Sequence, residues 1–404
     1  MKEKIVIVGI GYVGLPLAIS LSKFYEVIGF DNNLSRVKQL NNHIDINQQV
    51  KKNDIKKSKI KFTNKIDDIN KSPVYIITVP TPVYKNNKPN LSMLKKASVT
   101  VANVMTKKSL IIYESTVYPG LTNILSHTII EKITKFKLNK DFFLGYSPER
   151  INPGDKNNTL NEIVKIISGS NDEAIFKIKK IYSKICKKVF LANSIEIAES
   201  AKIIENIQRD VNIALVNEFY KIFSELNLNF DEILTAASTK WNFLKFKPGL
   251  VGGHCIGVDP YYLLHLTKLK KIKTEMVSSG RNVNDNMHKY IIKKINNFIK
   301  KLNKNSQDIK ILIYGLTYKK DCPDIRNSQS KRISNLLAKN YKVTTFDSLV
   351  DKADEKKFPN FDKKYSKDFY DIIFINHIHT TDNKKFKFDK ILNKKGFLYR
   401  LDNF

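Results

Sequence analysis

The chain of 404 residues is long enough for two or three domains that each bury a hydrophobic core. Its 70 Lys and Arg residues against 39 Asp and Glu residues give a formal net charge of +31, but the lysines are dispersed along the chain, which disfavours a nucleic-acid-binding protein. No apolar run reaches the roughly 18 residues of a membrane helix, and no signal-peptide pattern opens the chain, so we expect a cytoplasmic protein without membrane contact.

The first candidate site is a glycine-rich loop that follows a short apolar segment, residues 4–8. The loop has the pattern GxGxxG and leads into the apolar, helix-compatible residues 15–21. In such loops the glycines permit a tight turn, close approach to a pyrophosphate and close helix packing, while the helix N-terminus supplies donors to the anion. We therefore predict that a dinucleotide is bound by Gly9, Gly11, Tyr12, Val13 and Gly14.

An acidic residue completes this pattern. Asp31 ends a second apolar segment, residues 26–30, twenty residues after Gly11. At this position an acid accepts hydrogen bonds from the adenosine ribose and repels a 2′-phosphate, so NAD is predicted rather than NADP. We also assign Arg36 to the cofactor site. A chance glycine-rich turn is the alternative, and the combination of strand, loop, helix and distal acid disfavours it.

Apolar segments alternate with helix-compatible segments through the first 190 residues, which predicts an α/β fold with a doubly wound parallel sheet. Further strands are predicted over residues 74–80, 109–116 and 142–149. Ligands of such sheets bind beyond the carboxyl ends of the strands. We therefore expect ligand contacts from Thr78, Pro80, Thr81, Ser115, Thr116 and Glu149. Taken singly, each threonine is also explained by a cap or turn, and the glutamate by a solvated loop.

A long stretch without proline or glycine follows the predicted sheet. Residues 195–226 carry apolar side chains at helical spacing and would form a helix on the order of 45 Å long. We expect this helix to connect two lobes and to form the surface of a homodimer. On it Lys202, Asn206 and Arg209 fall at i, i+4 and i+7, which is one face of a helix. An exposed face of ion pairs is the alternative for these residues.

Cys255 is the candidate nucleophile. It lies between glycines in the segment 252–260 and four residues before Asp259. A thiol and a dinucleotide site on one chain suggest oxidation through a covalent thioester, and an inert buried thiol is the alternative. The other two cysteines, Cys186 and Cys322, are interpreted as structural. Three scattered cysteines are too few for a disulfide framework or a zinc site, so no metal is expected.

The last third of the chain predicts a second, smaller α/β domain. Strands are expected over residues 309–316, 342–347 and 371–375, with a helix over residues 328–339. The loop after the first of these strands, residues 315–321, lacks the three-glycine pattern but contains lysines. It suits a nucleoside diphosphate better than a second dinucleotide.

Four motifs resemble those of the UDP-sugar 6-dehydrogenases, the family that oxidises UDP-glucose, UDP-N-acetylhexosamines and GDP-mannose at C6. The resemblance covers essentially the whole chain and is carried by residues 113–120, 146–154, 240–243 and 252–263. These motifs are most like those of the UDP-N-acetylglucosamine and UDP-N-acetylgalactosamine dehydrogenases of capsule, Vi-antigen and O-antigen pathways. The resemblance therefore implies a UDP-N-acetylhexosamine as the substrate.

The resemblance also implies roles for single residues. Cys255 would be the nucleophile and Glu149 the acid or base, with Thr116 beside it. Pro153 and Val258 stand where UDP-glucose enzymes tend to have a glutamate and a lysine, which argues against UDP-glucose itself.

Further implied roles concern the reacting carbon and the two ligands. Lys202, Asn206 and Asp259 would surround C6, and Arg326 would lie near NAD. The remaining implied substrate contacts are Arg150, Leu244, Lys245, Phe246, Lys247, Pro248, Gly252 and Lys319.

The chain is accordingly divided into three regions. Residues 1–194 are predicted to form an NAD-binding Rossmann-like domain, and residues 195–300 a central helical region with the dimer contact and the catalytic cysteine. Residues 301–404 are predicted to form a smaller Rossmann-like α/β domain that binds the UDP-sugar.

The implied activity is the NAD-dependent four-electron oxidation of UDP-GlcNAc or UDP-GalNAc to the uronate, through a thiohemiacetal and a thioester on Cys255, for surface polysaccharide biosynthesis. Two other classes stay open. A two-electron NAD dehydrogenase of the 3-hydroxyacid type needs no cysteine, and a polyanion-binding protein would retain only a vestigial cofactor site. The residues do not distinguish the two sugar epimers, nor Glu149 from Asp259 as the group that activates the hydrolytic water.

Overall fold

The computed structural model describes residues 3–150, 160–382 and 387–401. Pro153 and the other motif residues from 151 to 154 lie outside the described residues. Within the described ranges, no helix is both long and apolar enough to span a bilayer.

The chain divides into two compact units. The N-terminal unit comprises Met1–Glu205 and Tyr261–Ile272. The C-terminal unit comprises Asn206–Pro260 and Lys273–Phe404. The predicted central region, residues 195–300, therefore contributes to both units.

Among the described residues, the sheet of the N-terminal unit has eight strands, which are β1 (Lys4–Val8), β2 (Glu26–Phe30), β3 (Lys61–Thr63), β4 (Val74–Ile77), β5 (Leu110–Tyr113), β6 (Phe143–Tyr146), β7 (Val164–Gly169) and β8 (Lys188–Leu191). Their order is β3-β2-β1-β4-β5-β6-β7-β8. Strands β1 to β6 are parallel, and β7 is antiparallel to β6. The order reverses between β1 and β4, which is the position where such sheets bind ligands at the strand carboxyl ends.

The helices in chain order are α1 (Gly14–Ser22), α2 (Leu34–Asn41), α3 (Lys52–Lys57), α4 (Ser92–Val104), α5 (Leu121–Leu125), α6 (Glu131–Thr134), α7 (Asp172–Tyr182), α8 (Ile195–Glu225), α9 (Phe230–Ala237), α10 (Asp259–Leu269), α11 (Glu275–Ile299), α12 (Gln329–Leu337) and α13 (Lys352–Glu355). Helix α8 confirms the long helix predicted from residue 195. Helix α12 matches the helix predicted over residues 328–339. Helix α11 was not predicted.

In the described part of the C-terminal unit the sheet has four parallel strands, β9 (Lys310–Tyr314), β10 (Lys342–Phe346), β11 (Tyr370–Ile375) and β12 (Leu392–Arg400), in the order β10-β9-β11-β12. Alternate side chains of β9 enter two different cores, because successive residues of a strand point to opposite faces. Ile311 and Ile313 pack in the core that contains residues of α11 and α12. Leu312 and Tyr314 pack in an aromatic core on the other face. The predicted α/β architecture is confirmed in both units.

Candidate active site

The glycine-rich loop after β1 is shaped by close backbone contacts. Gly9 has a φ of +98°, and its N–H donates to the Phe30 carbonyl at 2.8 Å. A Cβ at Gly14 would lie 2.0 Å from the Gly9 carbonyl oxygen, so only glycine fits where α1 begins. Asp31 Oδ2 accepts a hydrogen bond from the N–H of Ile10 at 2.9 Å. Asp31, the acid predicted from the sequence, is therefore hydrogen-bonded directly to the glycine-rich loop.

A cavity of about 510 Å³ opens beside this loop in the N-terminal unit. Arg36 lines it, donates from Nε to the Ile10 carbonyl at 2.8 Å and approaches Asp45 Oδ1 to 2.8 Å with Nη2. Among the described residues, Arg36 Nη1 is buried without a hydrogen-bond partner. A ribose or phosphate oxygen would satisfy this donor, so the cavity fits a dinucleotide. The predicted cofactor residues that line it are Gly9, Gly11, Asp31, Arg36, Thr78 and Pro80.

The hydroxyls at the strand ends hold neighbouring loops together. Thr78 Oγ1 donates to the Gly9 carbonyl at 2.6 Å, and Ser115 Oγ donates to the Val79 carbonyl at 2.6 Å. Both hydroxyls therefore fix the loops at the strand ends, and each oxygen keeps acceptor capacity for a ligand. The carbonyl of Thr81 accepts from the hydroxyl of a tyrosine in α10 at 2.9 Å.

A second group of predicted residues meets where β6 ends. Lys202 on α8 donates from Nζ to the main-chain carbonyl of Glu149 at 2.6 Å. The Glu149 carboxylate accepts from the N–H of Arg150 at 2.7 Å, and the Arg150 guanidinium approaches Glu205 Oε1 to 2.7 Å. Lys202, Glu149 and Arg150 are therefore neighbours in the N-terminal unit. Glu205 was not singled out from the sequence.

A buried ion pair lies beneath this group. The side chains of Lys165 and Glu114 are fully buried, and Lys165 Nζ lies 3.0 Å from Glu114 Oε2. The same ammonium donates to the Pro148 carbonyl at 3.1 Å, and the Tyr182 hydroxyl donates to Glu114. Burial is the largest single effect and would lower the pKa of Lys165, but the Glu114 and Glu149 carboxylates together outweigh burial and the net shift is upward. Two lysines thus hold the consecutive carbonyls of Pro148 and Glu149.

The C-terminal unit contains the cysteine segment. The Cys255 carbonyl accepts the N–H of Asp259 at 2.8 Å, which closes a turn that leads into α10. The side chain of Asp259 is buried and accepts a hydrogen bond from the buried amide of Asn206. Cys255 itself is only partly buried. The thiol, the carboxylate and the amide therefore belong to one local structure.

The glycines of this segment are needed for packing. Gly253 has a φ of +77°, and a Cβ there would lie 2.7 Å from the Tyr318 ring. A Cβ at Gly252 would lie 2.9 Å from the Asn327 carbonyl oxygen. Replacing either glycine would therefore displace the loop that carries Cys255.

The third residue predicted on the face of α8 is placed differently from the other two. Arg209 is exposed, whereas Lys202 is partly buried and Asn206 is buried. The next residue, Asp210, is fully buried and pairs with Arg281 on α11 at 2.5 Å. Arg209 therefore faces solvent.

Other predicted substrate residues lie in two loops of the C-terminal unit. Residues 244–247 are exposed or partly exposed, and Pro248 is buried. Lys319 is partly buried, with its ammonium 5.7 Å from the centroid of the Tyr318 ring. Arg326 forms an ion pair with Asp324 at 2.7 Å and approaches His254 Nδ1 to 3.0 Å.

Three buried groups, Asp347, His377 and His379, have the spacing of metal ligands at the strand ends of the smaller sheet. Asp347 Oδ2 accepts hydrogen bonds from the N–H groups of Leu316 and Thr317 at 2.7 and 2.9 Å. Its other oxygen lies 2.9 Å from His379 Nε2. The carboxylate is therefore already satisfied by protein donors, and it holds the loop that leads to Lys319.

Family models match three parts of the chain. The NAD-binding domain of the UDP-glucose/GDP-mannose dehydrogenase family matches residues 3–186. The central domain of that family matches residues 196–286, and its UDP-binding domain matches residues 312–394.

Individual proteins are similar to this chain over most of its length. The chain is 45% identical over 395 residues to protein CapL of Staphylococcus aureus, covering 95% of this chain and 92% of that protein. It is 44% identical over 359 residues to UDP-N-acetyl-D-glucosamine 6-dehydrogenase of Salmonella typhi, covering 88% and 84% of the two chains. The structure of a UDP-D-ManNAc dehydrogenase from Pyrococcus horikoshii superimposes with a TM-score of 0.89 at 30% identity, covering 99% of this chain and 95% of that one.

Proposed function

Because this chain belongs to the UDP-glucose/GDP-mannose dehydrogenase family, whose NAD-binding domain it contains, we propose that it oxidises C6 of a UDP-N-acetylhexosamine to the carboxylate. The observation that carries the proposal is the turn that joins the Cys255 carbonyl to Asp259, whose carboxylate binds Asn206. The 44% identity to a UDP-N-acetyl-D-glucosamine 6-dehydrogenase supports the choice of sugar. The family membership confirms the predicted NAD and disfavours both a 3-hydroxyacid dehydrogenase and a polyanion-binding protein.

The residues that line the cavity beside the glycine loop would hold NAD, and two NAD molecules bound in succession would each accept one hydride from C6. Gly9, Gly11 and Arg36 would contact the pyrophosphate and ribose side of the cofactor, with Asp31 at the ribose hydroxyls. Their arrangement supports this role because Arg36 retains a buried donor and Asp31 anchors the loop.

In the first step, Asp259, directly or through a water, would take the proton of the C6 hydroxyl while the Lys202 ammonium donates to its oxygen, and the hydride that leaves C6 gives the aldehyde. The Cys255 sulfur would then give up its proton to water and bond to the aldehyde carbon, and the carbonyl electron pair would move to oxygen. Asn206 and Lys202 would donate to that oxyanion in the thiohemiacetal. After the second oxidation the carbon is a thioester, and water would displace the Cys255 thiolate to give the uronate.

We propose Glu149 as the base that activates this water. Its carboxylate follows β6, and its main chain is held on both sides by Lys165 and Lys202, which supports a fixed position. Glu149→Gln should therefore slow hydrolysis more than aldehyde capture, and an acyl adduct on Cys255 should accumulate. Intact mass after incubation with UDP-sugar and NAD would show the increment. Slow turnover without an adduct would assign the water to Asp259 instead.

The cofactor preference gives a separate expected result. The enzyme should use NAD more efficiently than NADP by at least about tenfold, because a 2′-phosphate would meet the Asp31 carboxylate. In Asp31→Ser the ratio of kcat/KM values for the two cofactors should approach one. Steady-state rates at saturating sugar measure this ratio. Equal efficiencies in the unaltered enzyme would contradict the role of Asp31.

The reaction itself is tested with UDP-GlcNAc, UDP-GalNAc, UDP-ManNAc, UDP-glucose and GDP-mannose. We expect two NADH per uronate formed with a UDP-N-acetylhexosamine, and a lower kcat/KM with the other sugars. One NADH per product would exclude the four-electron reaction. Activity confined to UDP-glucose would exclude the proposed substrate class.

We further propose a homodimer that uses α8. Its second half exposes three apolar side chains at helical spacing, with exposed fractions between 41% and 49%, which are Leu215, Phe219 and Ile222, and Leu226 directly after the helix is also exposed. A second copy of the helix would bury them. Light scattering should give twice the chain mass, and Phe219→Glu should reduce it. The product would serve surface polysaccharide biosynthesis, as the resemblance of the motifs implies.

A further inference from the structure

The loop after β9 repeats the geometry of the glycine-rich loop after β1. Gly315 has a φ of +83°, as Gly9 has a φ of +98°. Asp347 directly follows β10 and accepts the N–H of Leu316 at 2.7 Å, just as Asp31 directly follows β2 and accepts a main-chain N–H of the first loop at 2.9 Å. The acid of the smaller unit therefore has the position that Asp31 has in the larger one.

Asp347 differs from Asp31 because protein donors use both of its oxygens. The side chain is fully buried, and Oδ2 accepts from two main-chain N–H groups of the loop. Oδ1 accepts the N–H of Leu349 at 2.8 Å and lies 2.9 Å from His379 Nε2. A carboxylate has about four acceptor sites, and these four contacts occupy them. The histidine thus holds the place that a ribose hydroxyl would take at Asp31.

The imidazole of His379 links this carboxylate to the far end of the loop. The ring is fully buried, and its Nδ1 accepts the main-chain N–H of Asp321 at 2.8 Å. An accepting ring nitrogen carries a lone pair, so the ring proton lies on Nε2 and is donated to Asp347. With its proton there, Nε2 offers no lone pair to a cation. The cluster therefore acts on the loop through hydrogen bonds.

Lys319 lies between the two ends that are held in this way. At one end Asp347 binds the start of the loop. At the other end Thr380 adds to the attachment of Asp321, because its N–H donates to one carboxylate oxygen at 2.7 Å and its hydroxyl to the other at 2.6 Å. The Lys319 carbonyl oxygen lies 3.2 Å from Thr317 Oγ1. The main chain of Lys319 is therefore fixed from both sides.

We propose that His379 is a positioning residue for the nucleoside diphosphate, acting through Asp321 on Lys319. The inference rests on the proposed UDP-sugar substrate, to which Lys319 is an expected contact. A lysine ammonium is a point charge at the end of a flexible side chain, so its contribution to phosphate binding depends on where its main chain is held. His379 orders this segment before the ligand arrives, which lowers the entropic cost of binding.

The test uses UDP as the probe, titrated calorimetrically into the full-length enzyme. His379→Gln keeps a donor near Asp347 but loses the acceptor for the Asp321 N–H. It should raise the Kd of UDP about tenfold, as expected from the loss of one buried hydrogen bond. His379→Asn places its amide oxygen where Nδ1 lies, so it should recover most of the affinity.

A double-mutant cycle shows whether the effect passes through Lys319. Lys319→Ala alone should weaken UDP binding, and His379→Gln should then have little further effect in the Lys319→Ala background. If the two losses simply add, His379 does not act through Lys319 and the inference is overturned.

Tyr341→Phe is the matched control for loss of a hydrogen bond in the same unit. The Tyr341 hydroxyl donates to Asn296 at 3.1 Å, at the opposite end of the sheet from this loop. The control should lower the unfolding temperature and leave the Kd of UDP unchanged. If folded His379→Gln behaves in the same way, the ring has only a structural role and the inference is wrong.

Thr380→Val decides the question if His379→Gln does not fold. It removes the exposed hydroxyl bond to Asp321 and should raise the Kd of UDP about threefold. An unchanged Kd in that variant would then overturn the inference while leaving the proposed function intact. Failure of the unaltered enzyme to bind UDP would instead contradict both the proposed substrate and the role of His379.

Discussion

Cys255→Ser should abolish uronate formation while the protein still folds and binds NAD. Serine oxygen is a weak nucleophile at neutral pH and forms an ester in place of a thioester, so the rate of uronate formation should fall by on the order of a thousandfold or more. Cys255 lies at a partly buried position, so the substitution leaves the hydrophobic cores unchanged. Product analysis by mass spectrometry, together with NADH absorbance, measures the loss.

Cys186→Ala is the control for this substitution. Cys186 is buried in the core of the N-terminal unit, where burial raises the pKa of its thiol to about 11. Its removal should lower the free energy of unfolding but leave the uronate yield per folded molecule unchanged. Uronate production by Cys255→Ser at a rate near that of the unaltered enzyme would remove the covalent mechanism.

Lys165→Met should produce the largest loss of stability. The substitution leaves the Glu114 carboxylate buried without its cation, and breaking such a pair costs about 3–5 kcal/mol of unfolding free energy. It also removes the donor to the Pro148 carbonyl, so the segment that carries Glu149 should lose its position. Calorimetry of the unfolding of the N-terminal unit measures the loss of stability. The kcat per folded molecule measures the effect of displacing Glu149.

Two further variants show whether the loss of stability comes from the uncompensated charge of Glu114. Lys165→Met combined with Glu114→Gln should recover most of the lost stability, because no uncompensated charge stays buried. Lys187→Met breaks an exposed pair with Glu162, whose side chains are 60% and 47% exposed, and should cost less than about 1 kcal/mol. If Lys165→Met were no more destabilising than Lys187→Met, the buried pair would have no such role.

The parts of the molecule that follow from local sequence were predictable. The backbone conformation of the GxGxxG loop was predictable from the sequence. The positive φ of Gly9 and the close contact at Gly14 each require glycine at that position. The long helix was predictable from residue 195 because no proline or glycine interrupts its helical spacing. Cys255 was singled out as a candidate nucleophile from the glycines on either side and from Asp259 one turn later, and its role stays a proposal.

The pairs that complete the site were not predictable, because their members are far apart in the chain. Lys165 and Glu114 are 51 residues apart, and no spacing rule connects them. The order of the strands in the larger sheet brings β5 close to β7, which places the two side chains in one buried space. Lys165 lies in the apolar strand β7, and Glu114 directly follows the apolar strand β5. Neither position by itself indicates a partner of opposite charge.

The same limit applies to His254 and to the strand-end hydroxyls. His254 and Arg326 are 72 residues apart, and only the packing of the Tyr318 loop on Gly253 brings the Asp324 carboxylate to the imidazole. Thr78 was predictable as a residue at a strand end, but the direction of its hydroxyl depends on the Gly9 carbonyl of the neighbouring strand's loop. Sequence patterns report requirements within one element, whereas charge pairs and hydrogen-bond directions are decided by which elements pack together.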